Sequence, residues 1–238
     1  MKNGENTKVD IREKGRSKSG KAVYSDRRLF VQFLSFGGAD APAAGRALEK
    51  KGFEGAVYAD LSDPFGIGTV FMSEDENFFT DDLRAVLSAA PFKSMKLKNE
   101  YSMFGRTYSL GYESNLEETL VEAPKRKILD PGWPWAVWYP LRRAKSFETL
   151  GEDRQRAILG EHGKLGFKYG EAGFAKDIRL ACHGIDKNDN DFVIGLLGKN
   201  LHPLSSVVQA MRKTEQTSVY IEEMGPFFAG KAVWKSGV

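Results

Sequence analysis

Hydrophobic and polar positions fall into a repeating order of elements from Leu29 onward. Residues 29–34 (LFVQFL) read as a β-strand, halted by Gly37 and Gly38. Residues 41–51 place Ala44 and Leu48 on one helical face, with Gly52 as the stop. Residues 55–60 and 68–72 form two strands around the turn-rich segment 62–66 (SDPFG). A helix is predicted over 77–90, ended by Pro91, and a strand over 106–112. The order is β-α-β-β-α-β.

The second half repeats it. Residues 135–139 (WAVWY) are a strand between Pro134 and Pro140, and 152–169 are a long helix. Residues 177–183 and 192–197 form a strand pair joined by a polar turn. Residues 203–213 are a helix with Val207, Val208 and Met211 inward, and 218–221 are a last strand. Two such units in succession predict an α+β chain of two tandem ferredoxin-like modules, forming a dimeric α+β barrel-like subunit. The modules are placed at 26–120 and 133–238, with a connector at 121–132. Residues 1–25 offer almost nothing to bury and are expected to be a flexible basic tail.

Composition narrows the function classes. Of 238 residues, 41% are hydrophobic and 28% charged, enough for a real core. A formal charge of only +3 argues against a dedicated nucleic-acid binder. The single cysteine, Cys182, excludes a disulfide scaffold and a cysteine-based metal cluster. No apolar run is long enough for a membrane span, and the first residues lack the apolar core of a secretory signal, so a cytoplasmic location is expected.

Three features could carry chemistry. His162 falls on the apolar stripe of its helix with Ile158, Leu159, Leu165 and Tyr169. Such a histidine is either a satisfied core residue or an axial ligand pointing into an apolar cleft. Gly163 and Gly166 weaken that helix and fit a face that leaves room beside something flat. Arg179, in mid-strand, is either an exposed charge or a donor aimed at an anion. Trp133, Trp135 and Tyr139 share one face by alternation, with Trp138 adjacent, and make either core or the wall of a planar ligand site. Other motifs fail. The segment 186–190 lacks the glycine and final glutamate of a calcium loop, and Gly66-Ile67-Gly68 lacks the third glycine of a dinucleotide site. Cys182 and His183 point to opposite faces and make a poor nucleophile–base pair.

The C-terminal half resembles the chlorite dismutase and coproheme decarboxylase superfamily. The likeness lies in Trp138-Tyr139-Pro140-Leu141, in Glu161-His162-Gly163 with Gly166 and Tyr169, and in Asp189-Asn190-Asp191-Phe192. It continues through Met211-Arg212-Lys213-Thr214-Glu215 to Gly225-Pro226-Phe227-Phe228, and reaches back to Thr107-Tyr108-Ser109. The resemblance implies haem in the C-terminal module and a homo-oligomer, a pentamer in the family. It implies that His162 is the iron ligand, that Tyr139 is a radical relay and that Arg179 is a distal arginine. Arg126, Arg143 and Thr217 fall near positions that hold propionates.

Two reactions are compatible with that resemblance. One is peroxide-dependent decarboxylation of coproheme, in which two propionates become vinyls and haem b is produced. The other is decomposition of chlorite to chloride and dioxygen, which a distal guanidinium assists. Arg179 speaks for chlorite and Tyr139 for decarboxylation. Gln216 lies where chlorite-degrading members place a glutamate that bonds the proximal histidine, and its presence tips the expectation to the decarboxylase. Phe147 stands where many relatives have tryptophan. A non-catalytic haem-binding protein is the remaining alternative. The expected partners are small molecules, with no nucleic acid.

Overall fold

The computed structural model describes residues 9–237. A hairpin comes first, β1 (Glu13–Arg16) with β2 (Ala22–Ser25). The first module follows as β3 (Phe30–Gly37), α1 (Ala41–Lys50), β4 (Gly55–Asp60) and β5 (Ile67–Ser73). It continues through the short helices α2 (Asn77–Thr80) and α3 (Asp82–Leu87), β6 (Lys96–Leu97) and β7 (Met103–Arg106). A π-helical turn, Glu118–Glu122, runs into α4 (Ala123–Leu129). The second module contains β8 (Trp135–Arg143), α5 (Glu152–Glu171), β9 (Lys176–Ala181) and β10 (Phe192–Gly198). It ends with α6 (Leu201–Met211), α7 (Glu215–Tyr220), β11 (Ile221–Met224) and β12 (Phe228–Lys235).

Each module is a four-stranded antiparallel sheet. The spatial order is β7-β3-β5-β4 in the first and β9-β10-β8-β12 in the second. Numbered within the module, these orders are 4-1-3-2 and 2-3-1-4, the same ferredoxin-like sheet read from opposite edges. The edges meet where Arg106 of β7 pairs with Ala181 of β9, and where β4 pairs with β12. Both joins together close the sheet into a barrel, which removes the free edges that a four-stranded sheet would expose.

Closure gives the sheet an inside and an outside. Inside lie Leu29, Val31, Phe33, Tyr58, Met72, Met103, Trp138, Ile178, Leu180, Val193, Leu197 and Phe228. Trp138 lies against Phe33 with ring centroids 5.8 Å apart, and Phe33 against Phe228 at 4.8 Å. Gly195, opposite Trp138 on β10, makes this possible: a Cβ there would stand 2.6 Å from the indole. Outside the first module, Leu48 and Ala44 of α1 and Leu83 of α3 bury Phe36, Val57 and Phe71. Outside the second, Leu204 and Val207 of α6 pack with Val137, Tyr139, Leu141 and Leu196.

The tandem ferredoxin-like fold is as expected, but several elements differ. The flexible tail is corrected in its second part, because residues 13–16 and 22–25 pair as a hairpin whose Glu13 and Arg16 bond to the 106–113 segment. Residues 1–8 lie outside the described residues. The predicted helix 77–90 breaks at Asp81, whose backbone leaves the helical region. The first module's last strand is 103–106 rather than 106–112. There Gly111 takes φ +94°, and the Glu113 carboxylate accepts the amides of Leu110, Gly111 and Tyr112, which no ladder could then use. Residues 218–220 are helical, and the final sheet strand is Phe228–Lys235, two elements later. The indole of Trp138 faces the barrel interior, whereas Tyr139 faces the helices.

Replacing Gly195 with Ala should destabilise the protein by about 1–3 kcal/mol, since the indole has no free volume to move into. Denaturant unfolding of that variant, against a surface Gly→Ala control, measures the effect.

Candidate functional site

Antiparallel register brings three side chains into one row on the outer face of the second module. Ile194 of β10 pairs with Arg179 of β9 on one side and with Tyr139 of β8 on the other. In the next row Leu196 pairs with Asp177 and Val137. Successive side chains alternate between faces, so Asp177 and Arg179 project together, and their side chains meet with Nε to Oδ2 at 3.1 Å. Lys127 of α4 joins Asp177 at 3.6 Å.

Above this row runs α5. It is 20 residues long, yet only Ile158 is fully buried. The helix leans on α6 and α7 rather than on the strands. Polar bonds fasten it there: Gln155 Nε2 donates to the Phe147 carbonyl at 3.0 Å, the Glu215 amide to Glu161 at 3.1 Å, and Tyr169 Oη meets Ser206 Oγ at 2.8 Å. Held from the side, α5 leaves a recess between itself and the sheet. Burial is the largest influence on the ionisation of both Asp177 and Arg179, yet their side chains keep 50% and 46% of their surface. Accessible beneath a helix that rests on α6 and α7, the two side chains line the gap between α5 and the sheet.

His162 stands over it. Its Nδ1 lies 3.1 Å from Thr214 Oγ1, and that hydroxyl donates its only hydrogen to the Met211 carbonyl at 2.7 Å. Thr214 therefore accepts, His162 carries its proton on Nδ1, and Nε2 has no hydrogen-bond partner among the described residues. Burial lowers the imidazole pKa, and the charges of Arg179 and Arg143 lower it further against the opposing Glu161. The ring is kept neutral, the form that binds a metal.

Arg143, at the end of β8, lies over Phe147 at 4.4 Å and Phe192 at 4.8 Å. Its Nε is buried with no partner among the described residues. A buried guanidinium donor left unpaired is costly, and an anionic ligand would satisfy it. Burial raises the Tyr139 phenol above its ordinary range, Asp177 adds to this, and Arg212 opposes it. Tyr139 stacks on Phe227 at 4.4 Å. A cleft of about 320 Å³ is lined by Arg212, Thr217, Ile221 and Met224 together with the acidic Glu222 and Glu223.

The family model for chlorite dismutase matches residues 77–233. The chain belongs to the chlorite dismutase family. No curated protein sequence matches it. Among solved structures, an arginine-to-alanine variant of the chlorite dismutase from Candidatus Nitrospira defluvii superposes with a TM-score of 0.66 at 15% identity, covering 87% of this chain and 92% of that one. The same enzyme in complex with imidazole gives 0.65 at 14%, with coverages of 87% and 92%. A heme-binding protein from Thermus thermophilus gives 0.62 at 18%, covering 87% and 91%. At these identities the likeness is one of fold.

Within this member of the chlorite dismutase family the structure gathers His162, Arg179, Arg143, Tyr139 and Thr217 around the recess and its adjoining cleft. Arg126 is not among them: it is 64% exposed and ion-paired to Glu118. Gln216 is buried, but Thr214 is the residue that meets His162. Gly166 makes room for Met211, 3.3 Å from where its Cβ would be, whereas Gly163 faces open space. Sequence reasoning missed Thr214, Asp177 and Arg212. Asp177 carried a usable signal, lying two positions from Arg179 on one strand face. Thr214 and Arg212 reach the site from the turn after α6, which no periodicity marks.

Two outcomes are expected from proton NMR with nitrogen-15 labelling. His162 should titrate below the ordinary imidazole value of 6.5 and show the Nδ1–H tautomer when neutral. Thr214→Val should remove that preference, giving a tautomer mixture.

Proposed function

We propose that this chain is a haem-dependent oxidoreductase and, within that class, a peroxide-dependent coproheme decarboxylase that yields haem b. The observation that carries the reading is His162, neutral, with its Nδ1–H committed to Thr214 and its Nε2 without a hydrogen-bond partner among the described residues, above a recess floored by Arg179, Ile194 and Tyr139. An iron porphyrin fits this donor set. His162 would hold the iron, apolar Ile194 and Met211 would suit the ring, and the Arg143 Nε, without a partner among the described residues, would donate to a carboxylate.

The chain's own residues then take distinct roles. His162 holds the metal. Arg143, Arg212 and Thr217 hold propionates, Arg212 lying on the Tyr139 side; Arg126 is left out of this set because its partner is Glu118. Bound haem supplies the oxidising power of peroxide: for each propionate, one hydrogen peroxide takes two electrons and leaves as two waters, while the side chain loses carbon dioxide and becomes a vinyl. Tyr139, kept neutral by burial, gives up an electron only together with its proton, which suits it to hydrogen-atom transfer. Thr214 favours this reading over chlorite chemistry. A neutral acceptor on Nδ1 leaves the imidazole a weaker electron donor than a carboxylate would.

Arg179 favours the second reading, chlorite decomposition. Its guanidinium reaches the recess and could hold an anion and its leaving group. A homopentamer in the cytoplasm completes the proposal, with light scattering of the purified protein as the check on subunit number.

Incubation with coproheme and peroxide, followed by porphyrin mass, is the deciding experiment. The wild type should lose two carboxyl groups, and Tyr139→Phe should bind the porphyrin without converting it. Conversion by that variant would remove the decarboxylase assignment. Sustained dioxygen release from chlorite that is abolished in Arg179→Ala would promote the second reading, and a Soret band without product under either oxidant would leave a haem-binding protein.

A further inference from the structure

One wall of the recess is the segment 107–113, which follows β7. Tyr108 lies 5.8 Å from Phe192, whose ring also carries Arg143. Burial raises the Tyr108 phenol, while Arg179 and then Arg143 pull it down, so the ring looks onto both guanidinium groups. Tyr112 and Glu113 also act on Arg179. Because Arg106 pairs with Ala181, the segment leaves the sheet next to the strand that carries Arg179 and borders that side of the recess.

What holds the segment in place is outside both modules. Glu13 of β1 is largely buried, with 12% of its side chain exposed. One carboxylate oxygen accepts from Arg106 Nη1 at 2.8 Å. The other accepts from the Ser109 amide at 2.8 Å and the Ser109 hydroxyl at 3.0 Å. The one hydrogen of that hydroxyl is shared with the Lys14 carbonyl, at 2.8 Å, and the Arg16 amide donates to the Glu113 carbonyl at 2.9 Å. Glu113 turns its own carboxylate inward to the amides of Leu110, Gly111 and Tyr112. Four consecutive amides, 109 to 112, are thus satisfied by two carboxylates. Surface loops ordinarily give such amides to water and move accordingly. This one is tied at both ends by the hairpin, and Gly15 packs on Leu116 beneath it.

We propose that Glu13 is a positioning residue for the site: through Ser109 it fixes Tyr108 and the 107–113 wall over Arg179, so that the N-terminal hairpin is a strap controlling how small anions reach that arginine. The role rests on the recess being the ligand site, and the arms of the test separate the two ideas. Two variants are compared with the wild type, Glu13→Gln and Ser109→Ala. Glutamine keeps the shape but turns one acceptor oxygen into a donor facing donors.

The first readout is amide hydrogen exchange over 107–113 in the ligand-free protein. The second is the rate at which phenylglyoxal labels Arg179, followed by peptide mass, with exposed Arg46 as internal control. Loss of a charge-assisted tie should speed exchange at Ser109 by about tenfold. Labelling of Arg179 should rise in parallel while Arg46 is unchanged. A third readout, haemin uptake by the wild type, is scored separately. Faster Arg179 labelling in either variant with no haemin uptake by the wild type keeps the strap and removes the haem reading. Unchanged Arg179 labelling in both variants overturns the strap, whatever haemin does. Acceleration of Arg46 along with Arg179 overturns it too, because that is general loosening.

Discussion

Closure of the sheet is the constraint on which everything else depends. Two four-stranded sheets, each with two bare edges, join at β7–β9 and β4–β12, and the resulting barrel must then fill its own interior. It does so with large aromatic groups, Trp138, Phe33, Phe228 and Tyr58 among them, and with Gly195 placed where the indole needs its Cβ gone. A packed interior has no room for a ligand the size of a porphyrin. Any ligand must lie on the outer face, between strand and helix. Register then decides which side chains it meets, because residues facing out on adjacent strands form rows.

The two modules use that outer face differently. On the first, Phe36, Phe71 and Phe92 interlock with α1 and α3, and the face is a second core. On the second, the corresponding long helix rests on α6 and α7 and keeps its apolar stripe only half covered. The four glycines along α5 from Gly160 to Gly170 lower its intrinsic stability by about 1 kcal/mol each relative to alanine. Tertiary bonds on one flank compensate, and the opposite flank stays open. The same architecture therefore yields a filled module and an open one, and the open one carries His162.

Much of this could be read from the chain, and the limits have physical causes. β-rich runs such as LFVQFL and WAVWY marked strands, and the recurrence of β-α-β-β-α-β marked the modules. Boundaries failed where side chains captured backbone groups. Glu113 takes three amides out of a segment that otherwise alternates like a strand, and Glu161 takes the Glu215 amide at the start of a helix where residues 218–221 read as extended. The hairpin at 13–25 was missed because its order comes from a buried carboxylate and backbone bonds to residues about 95 positions away, not from apolar pattern. His162, Arg179 and Tyr139 were legible as residues. That they face one recess followed only from pairing Ile194 with both strands.

The charges around the recess favour an anionic ligand. Arg179, Arg143 and Lys127 surround Asp177 and the neutral His162, with Arg212 on the Tyr139 side. Asp177 illustrates the balance: burial pushes its carboxyl up, but Arg179 and Lys127 outweigh that and hold it ionised. Asp177 pairs with Arg179 and Lys127 and Glu148 with one end of the Arg143 guanidinium, yet the Arg143 Nε keeps a buried N–H with no partner among the described residues. Excess positive charge of this kind costs folding free energy unless an anion enters. It also keeps the imidazole unprotonated, because each guanidinium opposes a second cation beside it. An anionic ligand would therefore strengthen the fold by neutralising the arginines, and it would meet a histidine already in the state that binds metal. The charges that cost folding free energy are the ones that select an anionic ligand.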